Sequence, residues 1–552
     1  ERIEHPSGTD TVFTYDTTSG WLAQVTDDSG STTFERDTSG AITQKISVVD
    51  GVTMTTKYQY DVMGRVDQAL MPGGTRLYYD YDNAGQVERI RASHPSFSLR
   101  NLASNITYKP FGPLIGVTLG SNQVRALDYD SEYRLTQLIS ANQIHKSYQY
   151  DANDNIFAVT NGSGSGNRTY DYDEMDRLDF HWGPEGTYYL DFDENGNLTR
   201  KNSYSYDNHH YQAGSNRLTS ANGSVRWYDT NGNTTRRGSD YLTYDDRNRL
   251  SYFHKWAGHV NTYYRYNAFG ERVQKYRTGF DQKFVYGNGA RLLHEQGSQG
   301  TVDYVYLNEQ PIAMVRNGSI YYLHTDHLGR PIRAVTETNS FTVWIGDDRP
   351  WETGPGTTYV DVNIRFPGQY FDSESELYYN YFRYYDPTTG RYLSSDPIGL
   401  GGGLNRFAYA GSNPTKFTDP FGLDFQDRRH TQNGAAFGCV GGATIVGSRS
   451  ALTCTASGPG YLPCNGLAIV CGCIGGSILG AAVGTAQDGL EELAVRGFPQ
   501  SMFNKSTDSG GNEDDDRGAE AQREKRRKTA PKNKPHGTKP IDKDSRAKGK
   551  NQ

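Results

Sequence analysis

A Tyr-Asp pair, often followed by two variable residues, Gly, a polar residue and an aliphatic one, returns along this chain at intervals of 20 to 22 residues. It stands complete in Tyr60-Asp61-Val62-Met63-Gly64-Arg65-Val66 and Tyr81-Asp82-Asn83-Ala84-Gly85-Gln86-Val87. Close variants are Phe192-Asp193-Glu194-Asn195-Gly196-Asn197-Leu198 and Tyr266-Asn267-Ala268-Phe269-Gly270-Glu271-Arg272-Val273. Looser copies mark Tyr15, Tyr129, Tyr150, Tyr172, Tyr206, Tyr228 and Tyr244. A fixed short period restricts a chain to architectures in which each unit buries its apolar face on its neighbours. Some 20 residues hold two short strands and two turns. Asp bonds its own backbone at the turn, and Gly takes a positive φ there. Side chains alternate along a strand, so Tyr-x-Tyr-Asp puts two rings on one face. One hairpin is marginal in water, whereas a stack of them buries a continuous aromatic face. A long antiparallel sheet is therefore predicted in preference to a propeller, whose blades take about 40 residues.

Composition agrees with that prediction. The chain has 41 Tyr and 62 Gly but six Met. Its mean hydropathy of -0.76 would suit disorder, but at 12% Phe, Trp and Tyr it is too aromatic for that. All five Cys (439, 454, 464, 471 and 473) follow residue 438, so the repeat region folds without disulfides or a thiolate metal site. They lack the spacing of a zinc site. A net charge of -7 gives no global attraction for nucleic acid or an anionic membrane. Because the chain opens on Glu1, any targeting signal is expected upstream of it.

Two later stretches are more specific than the repeat. His324-Thr325-Asp326-His327-Leu328-Gly329-Arg330-Pro331 carries two His and an Asp that form a candidate metal cluster, although in a strand-and-turn setting they more readily brace a turn. No metal or cofactor is expected. Between residues 365 and 423 lie Arg365-Phe366-Pro367-Gly368-Gln369-Tyr370, Tyr381-Phe382-Arg383-Tyr384-Tyr385-Asp386-Pro387, Gly390-Arg391-Tyr392, Asn405, Tyr409 and Asn413-Pro414. The same stretch has two boxes, Asp396-Pro397-Ile398-Gly399-Leu400 and Asp419-Pro420-Phe421-Gly422-Leu423. Pro397 and Pro420 fix φ while Gly399 and Gly422 permit tight turns, so each Asp sits on a rigid corner. If the corners face each other, one carboxyl must keep its proton. One acid and one base then make an aspartic-protease-like site. The alternative is that both Asp only cap their turns.

With these motifs the chain resembles the RHS/YD-repeat family, which includes the C components of insecticidal toxin complexes, over roughly residues 10 to 423. The resemblance implies a mainly β fold, in which a long spiralling antiparallel sheet of hairpins forms a hollow shell and a small α-helical or irregular C-terminal segment follows. It also implies three regions: a repeat shell over 1–320, an RHS-associated core over 321–423 and a variable toxin region over 424–552. By position Asp396 and Asp419 are the implied dyad and Arg383 the assisting cation, with Arg391 the alternative. The implied cut falls between Leu423 and Asp424, which would make the chain a single-turnover self-protease. The acidic Asp424 after the cut departs from an ideal site and would slow cleavage.

Beyond Leu423 the repeat stops. Residues 467–486 carry no charge and place Gly472, Gly476, Gly480 and Gly484 at every fourth position, the pattern of closely packed membrane helices. A Gly-rich buried helix is the alternative. Residues 512–552 are a charged linker or an incomplete toxin; from Arg517 onward there are 13 Lys and Arg against four Asp and Glu. Such a run is usually solvated, but it could contact nucleic-acid phosphates. It has too few apolar residues for a core, so a toxin there would be truncated at Gln552. The leading reading is an effector of interbacterial competition or host attack, secreted or delivered into a target cell. Its expected partners are its own enclosed C-terminal region, an immunity protein and a secretion-machinery component. A surface adhesion or carbohydrate-binding protein without cleavage is the rival; it would need aromatic platforms facing solvent.

Overall fold

In the computed structural model the described residues are 2–5, 10–110, 112–120, 122–164, 166–202, 208–287, 289–351 and 357–427, with the backbone of 443–444 and 470–471. The chain divides into two units, Glu1–Phe498 and Pro499–Gln552, and every described residue belongs to the first. A 19-stranded sheet runs from Arg2–Ile3 to Leu198–Asn202, and a 16-stranded sheet from His209–Tyr211 to Thr357–Thr358. Along both, each strand pairs antiparallel with the next in the chain, as in Arg76–Tyr81 with Val87–His94. Helix among the described residues is limited to two short 3-10 turns, Gly399–Gly402 and Ala410–Ser412. None is long and apolar enough to cross a membrane.

The repeat has a local chemical cause. Asp61 Oδ1 accepts the N–H groups of Met63 and Arg65 at 2.9 Å each, and its Oδ2 takes Arg65 Nε at 2.7 Å. Gly64, at φ 76°, closes the turn by donating to the Asp61 carbonyl. The Arg65 guanidinium then lies 4.2 Å from the ring centroid of Tyr81, at the end of the strand Arg76–Tyr81. The Tyr81 hydroxyl donates back to Val66 O at 2.8 Å, where the ladder slips beside the turn. Each Tyr-Asp unit thus caps a carbonyl left by the unit before it, for about 1 kcal/mol net. Tyr60, Tyr108, Tyr129, Tyr150, Tyr172, Tyr211, Tyr266 and Tyr306 do the same. The looser copies at Tyr129, Tyr150, Tyr172, Tyr228 and Tyr244 keep this turn too, the one at Tyr15 is a residue longer, and Tyr206 lies outside the described residues. Tyr133, Asp154, Asp176 and Asn248 take the positive φ that Gly takes elsewhere, a conformation Asp and Asn tolerate better than most residues.

The two sheets share one hydrophobic cluster, in which Leu102, Leu138 and Leu178 of the first pack with Val305, Ala313 and Val335 of the second. Buried polar bonds join them as well. Asp303 receives the N–H groups of Gly73 and Thr75 and pairs with His294, and Arg125 donates to Thr325 O. His324 sits between Ser140 and Gln123, His327 meets Thr415 O, and Asp326 caps its own turn through Leu328 and Arg330. The His-Asp-His motif therefore braces sheet contacts and a turn. Among the described residues no three His, Cys, Asp or Glu gather as a metal site.

A four-stranded sheet, Tyr370–Asp372, Leu377–Asn380, Arg383–Asp386 and Arg391–Tyr392, packs on the second large sheet. Its anchor is Arg272, fully buried, paired with Asp372 and within 6 Å of the ring centroids of Tyr264, Phe284, Tyr370, Tyr379 and Tyr384. The segment after it crosses the turns of the first sheet. Asn405 Nδ2 donates to Gly196 O at 2.7 Å and Asn413 Nδ2 to Asp176 O at 2.9 Å, so both motif asparagines are turn clamps. Of the uncharged stretch 467–486 only Val470–Cys471 is described, as a two-residue strand beside Ala443–Thr444. Gly472, Gly476, Gly480, Gly484 and the basic residues 512–552 lie outside the described residues.

Candidate active site

Arg383 opens its strand across a tight hairpin from Asn380, with Tyr381 at φ 55° between them. The hairpin grips the second Asp-Pro box. Phe382 N–H donates to Phe421 O at 3.1 Å, and Asn380 Nδ2 to Asp419 O at 2.9 Å. Gly422 passes so close that a methyl group there would lie 2.5 Å from Asn380 O, and its φ is 68°. Only glycine meets both conditions without strain. A methyl on Gly368 would likewise overlap the Pro420 carbonyl, so the Arg365–Tyr370 motif backs the same box.

Each Asp caps its own turn. Asp396 Oδ1 accepts Ile398 N–H at 3.0 Å, and Asp419 Oδ1 accepts Leu423 N–H at 2.9 Å. Their outer oxygens converge on one atom: Arg383 Nη2 is 2.8 Å from Asp396 Oδ2 and 3.3 Å from Asp419 Oδ2. All three side chains are buried. Capping and pairing are thus simultaneous. Arg383 also donates through Nε to Gly422 O and through Nη1 to Arg406 O, and its guanidinium lies 3.6 Å from the centroid of the Tyr392 ring. Arg391, the alternative cation, is engaged elsewhere: it donates to Asn216 O between the rings of Tyr211 and Phe407. Leu400 supports nothing in the core, being 69% exposed at the tip of its box.

One guanidinium between two buried carboxylates leaves excess negative charge, and a proton relieves it. Burial pushes Asp396 up to about 6 against the pull of Arg383, with Asp419 and Asp424 adding to the rise. Asp419 is raised by burial too, but Arg383, the Tyr392 hydroxyl and the N–H groups of Leu423 and Gly422 oppose it. Asp424, more exposed than the pair, is raised by its partial burial and by the Asp419 charge.

The 423–424 peptide bond lies against this pair. A methyl on Gly402 would overlap the Asp396 carboxylate and stand 2.6 Å from Leu423 O, so both groups border the space that the missing Gly402 side chain leaves open. Past the bond, Gln426–Asp427 pairs with Phe417–Thr418 and Phe425 packs on Phe417, which ties the chain down on both sides. Asp396, Asp419, Arg383, Leu423 and Asp424 are thus brought to one place. Three participants carried no assigned role in the sequence: Tyr392, Asn380 and Gly402. Only Tyr392 had a signal, its place in Gly390-Arg391-Tyr392.

Compared with known proteins, the chain matches no family model. It is 32% identical over 329 residues to double-stranded DNA deaminase toxin A of Burkholderia cenocepacia, a match covering 51% of this chain and 22% of that protein. To toxin protein Tse5 of Pseudomonas aeruginosa it is 30% identical over 376 residues, 57% of this chain and 26% of that one. Among solved structures, that of TcdB2-TccC3-Cdc42 superposes with a TM-score of 0.65 at 18% identity, covering 79% of this chain and 26% of the other. By these matches and its motifs the chain is similar to proteins of the RHS/YD-repeat family. It has that family's shell fold, built of long antiparallel sheets and not of a closed barrel. The chain spans about a quarter of the length of these two toxins.

Proposed function

We propose that this chain is the shell and self-cleaving core of a polymorphic toxin, an effector delivered into a target cell, which hydrolyses its own Leu423–Asp424 bond. The observation that carries the reading is the convergence of Asp396, Asp419 and Arg383 beside the Leu423 carbonyl. Protonated Asp396, whose carboxyl adjoins Leu423 O, polarises that carbonyl. Asp419 takes a proton from the attacking water, whose oxygen bonds to the Leu423 carbonyl carbon. As the intermediate collapses the C–N bond breaks, the Asp424 nitrogen takes a proton from the dyad, and Leu423 is left as a carboxylate. Arg383 balances the charge throughout. The bond is intramolecular and tied on both sides, so no binding step is needed and the reaction occurs once per chain.

The cut would separate residues 1–320 and 321–423, as shell and core, from residues 424–552 as cargo, held by the shell until delivery. Two of the matched relatives are named as toxins, and two, of Dickeya dadantii, as probable deoxyribonucleases. Membrane activity through 467–486, or nucleic-acid chemistry, is the proposed cargo class, with an immunity protein and a secretion component as partners. The test is intact mass and SDS gel analysis of wild type beside Asp396→Asn and Asp419→Asn. A fragment ending at Leu423 is expected in wild type and in neither variant; an uncut wild type refutes the assignment.

The carbohydrate-binding reading has one observation in its favour. Trp227, Tyr241 and Tyr263 on one sheet face and Trp256 in the adjoining turn stand 41 to 56% exposed, with Tyr263 stacked on Tyr276 at 5.2 Å. Glycan-array binding by an uncleaved wild-type chain, lost in Trp227→Ala, would favour it.

A further inference from the structure

A proton shared by two carboxyls can rest on either, and at this site the hydrogen bonds beneath Asp419 decide. Asn380 is fully buried and directs Nδ2 at two oxygens, the backbone carbonyl of Asp419 at 2.9 Å and the Tyr392 hydroxyl at 2.7 Å. A backbone carbonyl can only accept, so the amide atom facing it is the donor nitrogen. The Tyr392 oxygen therefore accepts from Asn380. Its single proton is left for its other partner, Asp419 Oδ2, at 2.7 Å. The second oxygen of that carboxyl, Oδ1, accepts Leu423 N–H. Both Asp419 oxygens are thus acceptors, whereas Asp396 has fewer donors: Ile398 N–H on one oxygen and the guanidinium on the other.

We propose that Asn380 and Tyr392 are positioning residues that hold Asp419 deprotonated and so confine the shared proton to Asp396. The proposal rests on the self-cleavage reading and deepens it, because it fixes which carboxyl is base and which is acid. The charged groups facing Asp419 are Arg383, Asp396 and Asp424, and Tyr392 is the neighbouring phenol. Burial and the Asp419 charge raise that phenol well above its ordinary range, so it stays a donor across the working pH.

Tyr392→Phe tests this cleanly because it keeps the ring under Arg383 and removes only the hydroxyl. Full-length chain made by cell-free synthesis is moved into buffers from pH 4 to 9, and the uncut fraction is followed on gels. Wild type should give a bell, its acid limb set by Asp419 and its alkaline limb by Asp396. A donor to the ionised form lowers a carboxyl's pKa, so its loss should raise the acid limb by about one pH unit and leave the alkaline limb in place. Asn380→Asp, of the same shape, cannot donate to Tyr392 once ionised, and should cut at least about tenfold more slowly at pH 7. It carries the test if Tyr392→Phe melts below the assay temperature. A purely structural role would lower the rate without moving the acid limb. Wild-type cutting with an unmoved limb in Tyr392→Phe, or wild-type speed in Asn380→Asp, overturns the relay alone. An uncut wild type overturns self-cleavage and the relay together.

Discussion

Gly402 is the most informative single position to perturb, because it touches the reacting groups without being one of them. Its φ is not positive, and Ala is acceptable in a 3-10 turn, so the backbone tolerates Gly402→Ala and should even gain about 0.4–1 kcal/mol from a less flexible unfolded chain. The added methyl, however, would overlap the Asp396 carboxylate and stand 2.6 Å from Leu423 O. Non-bonded carbon and oxygen do not approach so closely, so the carboxyl and the carbonyl must part by roughly 1 Å, and a displacement of that size costs on the order of a hundredfold in rate. Gly401 provides the control. The atoms nearest to a methyl there are those of the Ile398 side chain, none closer than 3.4 Å, an ordinary contact. Time courses of cleavage on gels, with thermal melts of each variant, should show Gly402→Ala folded and about a hundredfold slow, and Gly401→Ala folded and fast. Wild-type cutting by Gly402→Ala would refute the placement of Leu423 O against Asp396, and equal slowing in both variants would reduce the effect to stiffening of the turn.

Three further outcomes follow from the same geometry. With Asp396 raised to about 6 in the folded chain, folding binds a proton between the ordinary carboxylate range and that value. Its contribution to stability is therefore full below about pH 4 and is lost as pH rises through about 6, and cleavage should fade over the upper part of that window; melts of Asp396→Asn should lack the dependence. Removing the cation in Arg383→Met leaves two buried carboxylates unpaired, which should cost about 3–5 kcal/mol and abolish cutting, with thermal stability partly restored in acid. Tyr81→Phe deletes the hydroxyl on Val66 O and should cost about 1 kcal/mol in denaturant unfolding, while Tyr189→Phe, on an exposed face, should change stability by less than about 0.5 kcal/mol.

The repeat was legible because its chemistry is local. Asp61, Gly64 and Arg65 meet within one five-residue turn, and the Tyr81 hydroxyl reaches only the preceding hairpin, so a linear pattern carries all the information the geometry needs. Long antiparallel sheets follow from it. Several looser copies were visible as repeats but not as the same turn, since a positive φ at a residue such as Tyr133 is not announced by its type. At the site, the two Asp-Pro boxes declared rigid corners, and the family resemblance pointed to Arg383 over Arg391. Neither pattern nor spacing could say that one guanidinium nitrogen bridges both carboxyls, or that Arg391 is bound to Asn216. Those facts depend on how the Asn380–Arg383 hairpin docks on a box 36 residues further along the chain. Asn380, Tyr392 and Gly402 likewise act through space: an amide fixes the sense of a hydroxyl, and a missing methyl makes room for a carbonyl. Side-chain identity determined which groups this protein has to work with, and tertiary packing alone decided which of them share a proton, because that depends on distances of about 3 Å between segments the sequence holds apart.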